Sequence, residues 1–361
     1  MAQMTTADSG PESIRQACLD NPKMRERDLA LKLGVSEADI IASWCGQRST
    51  RLEMRINNIL NGLESLGEVM ALTRNESAVH EKIGVYDGVR TSDRGAIVLG
   101  EDIDLRIKGA AWVHGFAVEK HAAENTTRSL QFFDAYGDAV HKIHLRPNSD
   151  LKAFNRLVAQ LKGDDQNEVL RIKPRPQTGS RPRVVHDADL ADMRNRWAAM
   201  KDVHQFAGIL RRLNLTRHQA VSAIDDEFAW QLHKSALLAA LNICVTEDIP
   251  IMCFVASPGV VQIHSGPIHQ IKQMGPWLNI LDPGFHLHLR ADHIDELWAV
   301  RKPNKDGHVT SLEAYNGNGD LIIQFFGVRR EGADERNDWR LVMENLPKRA
   351  VDPSAISNAV A

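Results

Sequence analysis

One stretch of this chain recurs in an unbroken register. Lys120, Ser129-Leu130 and Gly137-Asp138 return as Lys302, Ser311-Leu312 and Gly319-Asp320, so 302−120, 311−129 and 319−137 all equal 182. A spacing that never slips points to duplication of a whole folding unit. Duplicated units create a cleft between copies in which a ligand can sit. At 361 residues the chain is long enough for two such units, each with its own core.

The order of hydrophobic patterns is the same in both copies. From Pro11 to about Leu72, Leu29, Leu33, Ile40, Ile41, Ile56, Leu60, Leu63 and Leu66 fall largely at three- and four-residue spacings, the helical period. From Ser77 to Leu145 short β-rich runs alternate with Gly, Asp and Asn, as in GAIVLGEDIDLRI. The Pro- and Arg-rich stretch Lys173–Arg183 reads as an exposed linker. In the second copy a helix is expected from about Leu190 to Leu213. A second should start at Thr216, where Thr216 and Gln219 match a capping box. Ile251 to Val328 returns to strand texture, with Asn316-Gly317 as a tight-turn signal. The expected class is α+β: a tandem structural repeat, each copy carrying N-terminal helices and a large antiparallel β-sheet. The boundaries are a first repeat at 11–165, a linker at 166–186, a second repeat at 187–350 and a tail at 351–361.

Composition removes several classes. Charged residues make up 25%, apolar ones 43%, and the formal charge is −3, which gives no strong field toward nucleic acid or anionic membrane. The opening MAQMTTADSG lacks the basic and apolar regions of a signal peptide, and no apolar run reaches the roughly 18 residues needed to span a bilayer. A cytoplasmic location without membrane insertion is expected. Cys18, Cys45, Cys244 and Cys253 show no ligand spacing and read as buried or incidental thiols. Glycine-rich phosphate loops, nucleophile elbows and HExxH are absent from the sequence.

Trp197, Met200, His204 and Ala207 step by three or four along one expected helical face, apolar apart from the imidazole. A neutral imidazole so placed can ligate iron, but on pattern alone a lone histidine is more often an ordinary core or surface one. Rival signals are weaker. His286 and His288 form an HxH whose rings share a strand face, but no Cys or third His accompanies them at ligand spacing, and cross-strand packing accounts for them better than a metal does. His141 and His144 point to opposite faces. The stretch from Arg27 to Trp44 resembles a helix-turn-helix, yet its second helix would begin Ser36-Glu37-Ala38-Asp39. Those carboxylates would repel phosphates, so DNA binding is not expected.

The strings WAAMKDVHQFAGILRRLNLTRHQ, WLNILDPGFHLHL, WAVRKPNKDGHVTSLE and GVRREG resemble the bacterial haemin-degrading and cytoplasmic haem-trafficking family (HemS/ChuS/PhuS-like), over nearly the whole chain. The resemblance implies one haem in the cleft between the repeats, with His204 as axial ligand of its iron. Arg106 is implied on the distal side, where a permanently charged guanidinium could orient water, peroxide or dioxygen, and is the one catalytic residue implied. Arg217, Lys302, Gln324 and Arg329 match positions at the haem edge and propionates. Phe326 stands where the family often has Tyr, so its ring can pack on porphyrin but the hydroxyl is lost. By the 182 offset Arg106 falls on His288, which favours a single asymmetric site, although two haems stay open. The implied function is haem uptake and utilisation by oxidative degradation that releases iron, with an external reductant plus O2 or peroxide. The alternative is a non-catalytic carrier that takes haem from an importer ATPase to a separate haem oxygenase.

Overall fold

The computed structural model describes residues 10–122, 125–175, 185–329 and 334–349. Residues 176–184 of the expected linker and the whole of the expected tail lie outside the described residues. The chain divides into two compact units. The first is formed chiefly by the residues before the linker together with Ala256–Gln262, and the second by Glu76–Ala78 and the remainder.

In the first unit the helices are α1 (Pro11–Asp20), α2 (Glu26–Leu33), α3 (Glu37–Ala42), α4 (Ile56–Leu63) and α5 (Leu151–Leu161). Its strands are β1 (Ser49–Leu52), β2 (Val69–Arg74), β3 (Ala78–Gly84), β4 (Val89–Ser92), β5 (Gly95–Leu99), β6 (Asp104–Lys108), β7 (His114–Ala122), β8 (Asn125–Phe133) and β9 (Ala139–Leu145). They pair in the order β1-β7-β8-β9-β2-β3, with a β4-β5-β6 meander. The second unit carries α6 (Asp187–Ala198), α7 (Gln205–Leu213), α8 (Arg217–Ala223), α9 (Ala236–Thr246) and α10 (Asn337–Asn345). Its strands are β10 (Ala229–Leu232), β11 (Ile251–Ala256), β12 (Val260–Gly266, whose first residues belong to the first unit), β13 (Ile271–Met274), β14 (Trp277–Asp282), β15 (Phe285–Arg290), β16 (Glu296–Asn304), β17 (Gly307–Tyr315) and β18 (Leu321–Gly327). The order β10-β16-β17-β18-β11 repeats β1-β7-β8-β9-β2, and β13-β14-β15 repeats β4-β5-β6.

The α+β class and the repeat are therefore present, and the repeat extends to atomic register. Ala117 faces Leu130 in the first unit and Ala299 faces Leu312 in the second, each pair separated by 182 from its copy. Both units break register at the same place, after Phe132 and after Ala314. The following turns match too: Asp134 accepts from the backbone N–H groups of Tyr136 and Asp138, and Asn316 from those of Asn318 and Asp320. Each turn needs a left-handed residue, supplied by Gly137 at φ 75° and Gly319 at φ 77°. The expected turn pair Asn316-Gly317 thus contributes its asparagine side chain, while the strained backbone falls two residues later.

Two helical expectations need correction. Within the segment read as helical, β1 and β2 are strands. Ser49 and Leu52 are buried at the ends of a short edge pairing with β7 that a helical period cannot reveal. The single helix expected over Leu190–Leu213 is two, because side chains between them capture backbone donors. The Gln205 amide oxygen accepts from the N–H groups of Lys201 and Asp202, and Asp202 accepts from that of His204.

The main core of the first unit sets Leu60, Leu63, Phe154 and Leu157 of α4 and α5 against Leu130, Phe132 and Ile143. In the second, Leu237, Leu241, Trp339 and Met343 of α9 and α10 cover Leu297, Leu312, Ile323 and Phe325. Cys45, Cys244 and Cys253 are buried thiols, as the sequence suggested. Among the described residues no helix is long and apolar enough to cross a membrane.

His141 sits inside the first unit, bonded to the Thr73 hydroxyl at 2.8 Å and the Tyr86 hydroxyl at 2.6 Å. Burial, aided by His144, pulls its pKa down to about 3. The folded state keeps it neutral while the unfolded chain takes up a proton below about 6.5, so stability is lost as pH falls through that value. Each such group contributes a slope of about 1.4 kcal/mol per pH unit. His141→Gln should therefore show a smaller drop in urea midpoint between pH 7 and pH 5.5 than the parent, and equal drops would contradict the account.

Candidate functional site

Period-two alternation puts Ser311, Glu313 and Tyr315 on one face of β17. In the ladder Glu313 lies opposite Gln324 and Ser311 opposite Phe326 on β18. Lys302, two residues beyond Val300 on β16, shares this face because Val300 faces Ser311. Arg217 enters as the first residue of α8. Its position is fixed by Thr216, which accepts from the Gln219 N–H at 3.1 Å while the Gln219 side chain accepts from the Thr216 N–H at 2.9 Å. The expected capping box is present and contributes about 1 kcal/mol to holding that helix start.

These side chains converge on a residue the sequence reading did not single out. Glu313 is completely buried. Arg217 holds it bidentately, Nε at 2.7 Å and a terminal nitrogen at 2.6 Å. The carboxylate also accepts from Ser311 Oγ at 2.6 Å, Tyr315 Oη at 2.6 Å, Gln324 Nε2 at 3.0 Å and Lys302 Nζ at 3.1 Å. Burial works against the carboxylate charge, but Arg217 and Lys302 outweigh it and hold Glu313 well below the usual range. Burial and the like charge of Arg217 pull Lys302 down to about 8 despite Glu313. Six hydrogen bonds from five side chains on one carboxylate satisfy what would otherwise be a prohibitive buried charge. The available signal was a lone acidic residue between Ser311 and Tyr315, the only charged carboxylate of its strand.

Phe206 joins this cluster to α7. The Arg217 guanidinium lies 5.2 Å and the Lys302 ammonium 5.1 Å from its ring centre, and the ring meets Trp197 edge-on at 4.5 Å. His204 stands two residues earlier, at the boundary where α7 begins, and is exposed. The expected continuous stripe is thus broken. Trp197 and Met200 are core residues, whereas His204 and Ala207 face outward. Phe326 is half-buried, edge-on to Phe254 at 4.9 Å, and Arg329 lies half-buried just beyond β18. Arg106 belongs to the first unit, on β6, where it is exposed and paired with Asp104.

Two rival signals resolve within single units. His288 bonds Asn279 across the β14–β15 ladder at 2.7 Å, cross-strand packing of the kind expected. The would-be reading helix α3 is largely buried: Glu37 pairs with Arg74 and, at 2.5 Å, with Lys142. Glu37 and Lys142 hold the places of Arg217 and Gln324 (217−37 = 180; 324−142 = 182), and Gln131 that of Glu313 (313−131 = 182). The first unit therefore carries a buried ion pair at the equivalent helix start with the charge there reversed, and burial opposed by Lys142 and Arg74 leaves Glu37 at about 2.

The family model described as "Haemin-degrading HemS.ChuX domain" matches the chain twice, at residues 34–161 and 214–346. The hemin transport protein HmuS of Yersinia pestis is 38% identical over 327 residues, 90% of this chain and 93% of that protein. Among solved structures, holo-PhuS, a heme-binding protein from Pseudomonas aeruginosa, superposes with a TM-score of 0.90 at 38% identity, over 96% of this chain and all of that one. The Escherichia coli O157:H7 heme degrading enzyme ChuS gives 0.86 at 34% identity, over 94% and 100%.

Removing the Glu313 carboxylate would leave Arg217 and Lys302 as uncompensated neighbours. Glu313→Leu should cost about 3–5 kcal/mol, the usual penalty for breaking a buried pair, read from the urea midpoint. A midpoint within error of the parent would show that the cluster is not a stabilising charge centre.

Proposed function

Because the chain belongs to the haemin-degrading HemS/ChuX family, we propose that its second unit holds haem, with His204 on the iron and Arg217, Lys302 and Gln324 on the propionates. One observation carries this reading: those three side chains already gather around a carboxylate. Arg217 gives Glu313 two of its five N–H donors, Lys302 one of three, and Gln324 one of two, so donors are left over for further carboxylates. Arg217 and Gln324 also reach the surface, whereas Glu313 does not. Phe326, on the same strand face, offers an aromatic edge to the porphyrin, and Arg329 adds a cation beyond β18. An exposed imidazole at a fixed helix boundary is available to an incoming metal.

The activity proposed is oxidative opening of the haem ring to release iron, in the cytoplasm, with an external reductant and O2 or peroxide. The haem supplies the redox chemistry, and the protein supplies ligation and orientation. Arg106 takes the role of a cation that orients water or peroxide at the reacting haem, and its exposure leaves it free to exchange Asp104 for such a partner. HmuS is named a transport protein and ChuS a heme degrading enzyme. Turnover therefore decides between degradation and carriage from an importer to a separate oxygenase. With reductant and catalase present, stoichiometric loss of the Soret band with release of iron supports degradation, and a persistent band supports the carrier.

His204→Ala should weaken haemin binding at least about tenfold, a loss on the order of 1.4 kcal/mol, and shift the Soret band; an unchanged spectrum and affinity would refute the ligand. Arg106→Ala should leave haemin affinity near the parent value while changing the rate of reaction with peroxide. The lowered Lys302 value gives a third outcome. Above about 8 its ammonium loses the charge that attracts a propionate, so affinity should fall as pH rises from 7 to 9. Lys302→Met should flatten that profile, and parallel profiles would remove Lys302 from the site.

A further inference from the structure

In the first unit, α1, α2 and α3 and the strand pair β7–β8 enclose a cavity of about 560 Å³. Its floor is apolar, formed by Leu29, Ile40, Ile41 and Val118, while Cys18, Glu26, Trp44, Arg48 and Lys120 stand around it. The repeat explains why it is open. Ile209 and Leu213 of α7 correspond to Leu29 and Leu33 of α2 by an offset of 180, which places Glu26 where the second unit has Phe206. The buried Met193 of α6 and Ile14 of α1 differ by 179, which places Cys18 where it has Trp197. In the second unit the Trp197 and Phe206 rings pack against each other and close this space. The first unit retains the surrounding frame and has exchanged both rings for smaller or charged side chains, leaving room for flat aromatic volume.

The rim selects the charge of a guest. Glu26 is paired with Lys120, and Glu119 with Arg128 at 3.2 Å, so both carboxylates of the lining already hold cations. Lys23, Arg25 and Arg48 then give the mouth a positive sign. Arg48 lies with its guanidinium 4.3 Å from the Trp44 ring centre, a flat wall that is aromatic and cationic together. We propose that this cavity is a second ligand site, separate from His204, for a flat conjugated organic anion whose ring takes the place of the missing aromatics and whose acid group meets Arg48. The site is independent of the haem assignment, since none of its residues serves the second unit.

The test is a fluorescence titration of the full chain with 8-anilinonaphthalene-1-sulfonate, a conjugated anion, alongside Cys18→Trp and Arg48→Glu. Cys18→Trp restores the side chain that the other copy accommodates, and Arg48→Glu reverses the charge at an exposed position. Each should weaken the saturable binding by about tenfold or more while leaving the haemin spectrum and thermal midpoint at parent values. Should Cys18→Trp fail to fold, Arg48→Glu alone decides. Parent-like affinity in a folded Cys18→Trp, or in Arg48→Glu, would overturn the proposal.

Discussion

The buried Glu313 carboxylate is the interaction on which the second unit's surface chemistry depends. An isolated charge in that position could not persist, so the sheet supplies Ser311, Tyr315, Gln324 and Lys302, and the capped start of α8 supplies Arg217. The same bonds that make the charge tolerable also fix the directions of two cations and an amide. On the proposed reading, a carboxylate inside preorganises these donors for carboxylates outside, without leaving long side chains free to lose entropy on binding. The specificity of the proposed site is thus a by-product of satisfying an interior charge.

Duplication supplied the frame, and divergence at a few positions gave each copy a different chemistry. Register, bulge, turn and glycine recur between the units, yet the helix-start residue is Arg217 in one and Glu37 in the other. With the sign reversed, the first unit turns Lys142 and Arg74 inward onto Glu37 and presents no equivalent of the Arg217 fork. The aromatic pair Trp197–Phe206 closes the second unit beside its cluster, and its replacement by Cys18 and Glu26 opens the first. One backbone therefore carries a buried polar cluster closed by aromatics in one copy and a cavity in the other.

Much of the fold was legible because it is carried by local signals. Strands β11 to β18 fall within the Ile251–Val328 stretch read as strand texture, and Thr216 with Gln219 caps the helix it announces. The failures were tertiary. β1 exists because β7 offers an edge, and α6 and α7 separate because Gln205 and Asp202 capture backbone donors, events that hydrophobic period does not encode. In the site, Lys302, Gln324 and Arg217 were identified through resemblance, and the structure brings these three together. Glu313, which organises them, was overlooked because a strand glutamate is ordinarily solvated. Resemblance also supplied His204 and Arg106, and geometry added that both are exposed.

The central claim is that the Glu313-held donors grip the acid groups of haem. The most direct measurement compares the affinity of the protein for haemin and for haemin dimethyl ester, whose propionates carry no charge, in the parent and in Arg217→Leu. The account predicts that esterification weakens binding to the parent and that the gap between the two ligands narrows in the variant. Equal affinity of the parent for both ligands would contradict it.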